Sequence, residues 1–190
     1  MMDDLTAEAW ADGLALYEDR YACAAVAPRR HPDWWFDVAA IMRGDTADPR
    51  GWASLDPYED EFDRMVEAFA WVEPPTSGAD VERFNTYVEE LPRSSVQSLM
   101  VLLAVVGMNA SKSSDFEERR PQMERRAQVL LSRFPDGTRF YSNVGWKGER
   151  PNFYEQPVDG IGPFSRSCWD AGLIAVNDTE VALIWTFESF

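Results

Sequence analysis

The spacing of apolar residues changes once along this chain, at Pro135-Asp136-Gly137. Upstream they recur at steps of three and four, and downstream they alternate. A helix brings a residue back to the same face about every 3.6 positions and a strand every two, so the break separates two kinds of structure. Residues 1–134 read as mainly helical, and residues 135–190 as strands with a long loop. The expected fold is α+β: a helical N-terminal layer packed on a small C-terminal antiparallel β-sheet ending in a hairpin. All 190 residues fit one domain, and a 45% hydrophobic content is enough to give it a core.

Within the helical part, Thr6 is the expected cap of a stripe formed by Ala7, Trp10, Leu14, Tyr17, Tyr21 and Ala24. Asp33 caps a second helix through Trp34, Phe36, Val38, Ile41 and Met42, stopped by Gly44. Asp45–Leu55, with Pro49 and Gly51, reads as a loop. Asp56-Pro57-Tyr58-Glu59 has the signature of a helix start, and Tyr58, Phe62, Met65, Val66, Phe69 and Val72 follow on one face. Glu59, Asp60, Asp63 and Glu67 fall together on another arc of that helix, before Pro74-Pro75 ends it. Ala79–Leu91 is expected to be helical, with Val81, Phe84, Val88 and Leu91 inward. Ser94 or Ser95 starts the most apolar helix, through Val106, and Pro121 opens the last, with Met123, Ala127, Leu130 and Phe134 on one face. Thr138–Val144 is a strand. Gly145–Asp170 is a long loop, and Ala171–Phe187 is a hairpin turning at Asn177-Asp178.

Charge is distributed unevenly over this plan. The net charge of -15 is the sum of -14 over residues 1–92, +3 over 93–134 and -4 over 135–190. Such a balance speaks against nucleic acid, whose backbone calls for a basic footprint, and against anionic membrane surfaces. It favours partners that are themselves basic. The acidic start MMDDLTAEAW does not read as a secretory signal, and the longest apolar run, Leu99–Gly107, is too short to span a bilayer. With only two cysteines, Cys23 and Cys168, a reduced, cytoplasmic setting is expected. Arginine outnumbers lysine 16 to 2, a usage that fits a GC-rich bacterial or phage genome.

Motifs for catalysis are missing. His31, the sole histidine, lies between Pro28 and Pro32 and is expected to pack on Trp34 or Trp35. Neither cysteine has a nucleophile's surroundings, and no G-x-S-x-G occurs. One histidine and two distant cysteines cannot form a structural zinc site, and Asp56–Asp63 lacks the glycine of a calcium loop. Gly160-Ile161-Gly162 runs into Pro163 and fails the dinucleotide pattern. No cofactor or metal is therefore expected.

Surface features remain. The loop Gly145–Cys168 places Trp146, Phe153 and Tyr154 among charged residues that include Arg150, the mixture favoured at protein interfaces. The expectation is a non-catalytic acidic protein that binds and inhibits a basic partner. Its concrete form is an immunity protein neutralising a bacterial toxin, or a phage inhibitor that mimics nucleic acid against a nucleic-acid-binding enzyme. Glu59, Asp60, Asp63 and Glu67 would capture the partner, and Trp146, Arg150, Phe153 and Tyr154 would anchor it. Two alternatives are a receptor with a small-ligand pocket lined by Trp34, Trp35, Trp146 or Trp169, and a hydrolase using paired carboxylates.

Overall fold

The computed structural model describes residues 5–57, 76–160, 162, 164 and 169–188. Their core is a five-stranded antiparallel sheet flanked by helices, an α+β fold. The first helix, α1 (Ala7–Leu14), begins where Thr6 Oγ1 accepts the Ala9 amide at 3.1 Å. It tightens into a 3-10 turn at Ala15–Tyr17 and stops. The apolar stripe predicted through Tyr21 and Ala24 does not stay helical, because Ala22–Pro28 forms strand β1. The alanines of Ala22–Ala27 favour a helix locally, but seven registered pairs with the last strand override that preference.

Helix α2 (Trp34–Arg43) has the predicted ends. Asp33 accepts the Trp35 amide at 3.1 Å, and Gly44 adopts φ 72° while Gly44 N and Asp45 N donate to Ile41 O and Ala40 O. That is a Schellman closure, and it needs a residue tolerant of the left-handed region. Asp33→Ala is expected to cost about 1 kcal/mol, read as a lower urea midpoint with unchanged slope.

Helix α3 (Gly78–Asn85) starts in a capping box, with Asp80 N donating to Ser77 Oγ and the Asp80 carboxylate accepting Ser77 N at 3.1 Å. Hydrogen bonds from Thr76 N and Ser77 Oγ hold the Asp80 carboxyl below its usual range. The helix ends six residues before the predicted Leu91. Thr86, Tyr87 and Val88 carry the chain out into strand β2 (Glu89–Leu91), where Leu91 is buried.

Helix α4 (Arg93–Leu103) is apolar on nearly every side and buried, as its composition predicts, but Pro92 precedes it and no serine side chain caps it. A tight turn follows at Gly107 and Met108, with φ of 73° and 41°, leaving Val106 75% exposed. Helix α5 (Phe116–Ser132) begins a turn earlier than Pro121, which lies inside it. Strands β3 (Arg139–Ser142), β4 (Trp169–Val176) and β5 (Glu180–Glu188) complete the sheet in the order β1-β5-β4-β3-β2. The β4–β5 hairpin turns where predicted, with Asn177 Oδ1 accepting the amides of Thr179 and Glu180.

Helices cover both faces of the sheet. Ala24, Phe140, Leu173 and Ile184 pack with α1, α4 and α5, whereas Tyr141, Ile174, Leu183 and Trp185 pack with α2 and α3. The expected single helical layer is thus two layers, and strands β1 and β2 come from the part of the sequence read as helical. A sheet buried on both sides shows apolar runs rather than alternation, as in Gly172–Val176 and Val181–Trp185.

Gly172 marks the closest packing. A Cβ there would lie 2.1 Å from the Trp185 ring. The indole sits over the glycine, donates to Asp170 Oδ1 at 2.9 Å and stacks on Phe164 at 4.8 Å.

Candidate binding surface

Of the 16 lysines and arginines among the described residues, twelve lie within 4.0 Å of a carboxylate. Arg126 on α5 reaches Asp12 and Glu18 across the packed face of α1, and Arg139 forks onto Glu90 from the neighbouring strand. Hydrogen bonding from Arg139 holds the Glu90 carboxyl below its ordinary range. In contrast, Glu8, Asp19, Glu82, Glu89, Glu118, Glu149, Glu155 and Asp178 are exposed and form no ion pair among the described residues. These carboxylates have no internal cation to offset their field.

Loop 145–160 is organised by its own hydrogen bonds. Lys147 and Gln156 clasp each other across it, with Lys147 N donating to Gln156 Oε1 and Gln156 Nε2 to Lys147 O. Asn152 O accepts the amides of Glu155 and Gln156. The loop folds back on the sheet at Phe153, which is 1% exposed and belongs to the core. That burial removes Phe153 from the surface on which it was expected to anchor a partner. Trp146 packs edge-on against Phe153 and stays half-buried, while Arg150 is exposed. Tyr154 lies half-buried under Arg120, whose guanidinium is 4.4 Å from the ring centre and bonded to Glu124. Burial, with the nearby charge of Glu124, pushes the Tyr154 hydroxyl up from its ordinary value.

Arg150 and Tyr154 meet in one cleft of about 520 Å³, together with Ser94, Gln97 and Ser98 of α4 and Glu124 of α5. Two of the four residues predicted in this loop therefore share a polar, open surface. Glu59, Asp60, Asp63 and Glu67 lie outside the described residues.

His31 does not rest on Trp34 or Trp35. Its Nδ1 lies 2.7 Å from Asp37 Oδ1, and its ring lies beside Phe36. Asp37, buried in the first turn of α2, also takes the amides of Arg30 and His31 and the charge of Arg29. The cluster ties the turn before α2 to its helix. Trp34 stacks on Trp35 and Tyr141, and Trp35 is buried with its indole donating to Asn85. Trp35 packs further against Phe84 and Phe164, and Trp34 joins this aromatic cluster half-buried.

Sequence reasoning missed the densest charge cluster. Arg133, the residue that ends α5, with no exposed side-chain surface, bonds Asp48 and Glu180 at once, and its guanidinium lies against the rings of Trp10 and Trp52. Desolvation works against the charge of Arg133, yet the hydrogen bonds it donates to Asp48 and Glu180 outweigh it and raise its pKa. No local signal joins residues 48, 133 and 180; only the fold does. The paired carboxylates here are closed around an arginine and leave no room for a substrate. Among the described residues no group of three or more His, Cys, Asp or Glu side chains could hold a metal ion, and no helix is long and apolar enough to cross a membrane. No protein-family model matches the chain, and neither a curated protein nor a solved structure is significantly similar to it.

Proposed function

We propose that this chain is a non-catalytic acidic binding protein that captures and inhibits a basic protein, in the manner of an immunity protein against a toxin or a nucleic-acid mimic against a nucleic-acid-binding enzyme. The reading is carried by one observation: among the described residues most cations are paired with carboxylates, while a set of exposed carboxylates forms no ion pair. Such a surface accelerates encounter with a positive partner and repels nucleic acid. Glu59, Asp60, Asp63 and Glu67, grouped by helical spacing, add the strongest sequence-local charge, and Trp146, Arg150 and Tyr154 offer rim contacts around the cleft beside α4.

The test uses the immobilised protein as bait. A retained partner should be basic and should be released by raised salt, and the double charge reversal D60K/D63K should weaken retention about tenfold without lowering the melting temperature. Retention that is equal at low and high salt, or intact in the double variant, would reduce the acidic face to a solvated coat.

A further inference from the structure

The clefts of this surface differ in the charges lining them. One, lined by residues 104–106 and 112–116, mixes Arg20, Lys112 and Arg119 with Asp19 and Asp115, and the one beside α4 holds both Arg150 and Glu124. A third, of about 430 Å³, opens where β2 and β3 diverge. Thr86–Glu89 form one wall, Ser142–Gly145 another, and Asp159, Gly160 and Gly162 also line it. Among the described residues, every charged side chain lining this third cleft is a carboxylate: Glu89 and Asp159. Glu89 forms no ion pair among the described residues. Asp159 has one, to Lys147 Nζ at 3.7 Å, with the lysine side chain 82% exposed, so the pair contributes little and yields readily to a better partner.

The cleft is built on fixed backbone. Glu89 is in register with Ser142 in the sheet. Asp159 N donates to Gly145 O at 2.8 Å and Gly145 N to Gly160 O at 2.9 Å, an approach so close that a Cβ on Gly145 would lie 2.1 Å from Asp159 O. Independently of these acids, the rim carries Tyr87, one of three large hydrophobic side chains exposed among the described residues, at 40%. Its ring is held edge-on against Phe84 and Phe164 and leans on Gly162, so the aromatic surface it offers is preset. Carboxylates together with an aromatic ring are what a guanidinium uses: charge-assisted hydrogen bonds in its plane and a π-cloud against its face.

We infer that this cleft receives an arginine side chain of the basic partner. The inference rests on the reading of the chain as a binder of basic proteins and adds to it a place and a side chain. It differs from the capture proposed for Glu59, Asp60, Asp63 and Glu67, which draws on their charge alone, because here the contact is short and shaped.

The probe is a capped tri-arginine peptide, with capped tri-citrulline as its uncharged counterpart, titrated into the isotope-labelled protein and followed by amide NMR shifts. Tri-arginine should give saturable shifts centred on Tyr87–Glu89, Ser142–Gly145 and Asp159–Gly160, and tri-citrulline should give none. E89Q/D159N should weaken the tri-arginine affinity about tenfold. Tyr87→Leu, which leaves the net charge untouched, should weaken it about threefold, an effect that non-specific attraction to an acidic surface would not produce. Shifts scattered over the whole surface, equal shifts with citrulline, or an unchanged affinity in both variants would overturn the assignment. A failed titration alongside successful salt-sensitive capture would overturn the cleft alone, whereas failed capture alongside a successful titration would count against the wider reading and leave the cleft standing.

Discussion

Arg133→Met is expected to destabilise the protein by about 3–5 kcal/mol, measured as the unfolding free energy in urea at neutral pH. The substitution keeps much of the side-chain volume between Trp10 and Trp52 but removes all four hydrogen bonds to Asp48 and Glu180, which span 2.5–3.2 Å. Both carboxylates are over nine-tenths buried in the folded chain, so each would be left charged and desolvated with much of its compensation gone. Arg50, 3.7 Å from Glu180 and half-exposed, cannot replace a buried fork. Adding Asp48→Asn and Glu180→Gln to Arg133→Met should recover part of the loss, because neutral amides are less costly to bury than charges. A single-variant loss under about 1 kcal/mol would mean that the cluster is solvated in solution.

Gly172→Ala should cost about 3 kcal/mol or more, although it adds one methyl group to a strand. The new Cβ would meet the Trp185 ring at 2.1 Å and Ile184 O at 2.4 Å, and neither is the loose end of a flexible chain. Relief demands that the indole move, which breaks its bond to Asp170 and its stack on Phe164. Near-UV circular dichroism, sensitive to the packing of those rings, should change along with the melting temperature. An alanine variant that melts within a degree or so of the parent would show that β4 and β5 can separate at little cost.

The division into helices and strands was legible wherever a local device decided it. Asp33 and Gly44 bound α2, and Asn177 turns the final hairpin, because each acts on backbone groups only a few residues away. β1 and β2 were illegible for the opposite reason. Ala22–Pro28 and Glu89–Leu91 become strands through partners at 180–186 and 140–142, and their own side chains do not announce it. The loop's anchor residues were legible as a group but not individually: Phe153 went inward and Arg150 stayed out. Glu89 and Asp159 carry no motif and share a cleft only because β2 joins the sheet beside Ser142.

The alanine-rich strand β1 has a bearing on how the chain is made. Its ladder partner among the described residues is β5, and Ala22 waits for Thr186. During synthesis from the N-terminus, α1 and α2 can form as they emerge, but the segment between them cannot complete its ladder until residues 180–186 have been made. Until then its alanines favour the helical state that their spacing suggests. Completion of the sheet is thus a late event, in which the first strand made is among the last to be paired.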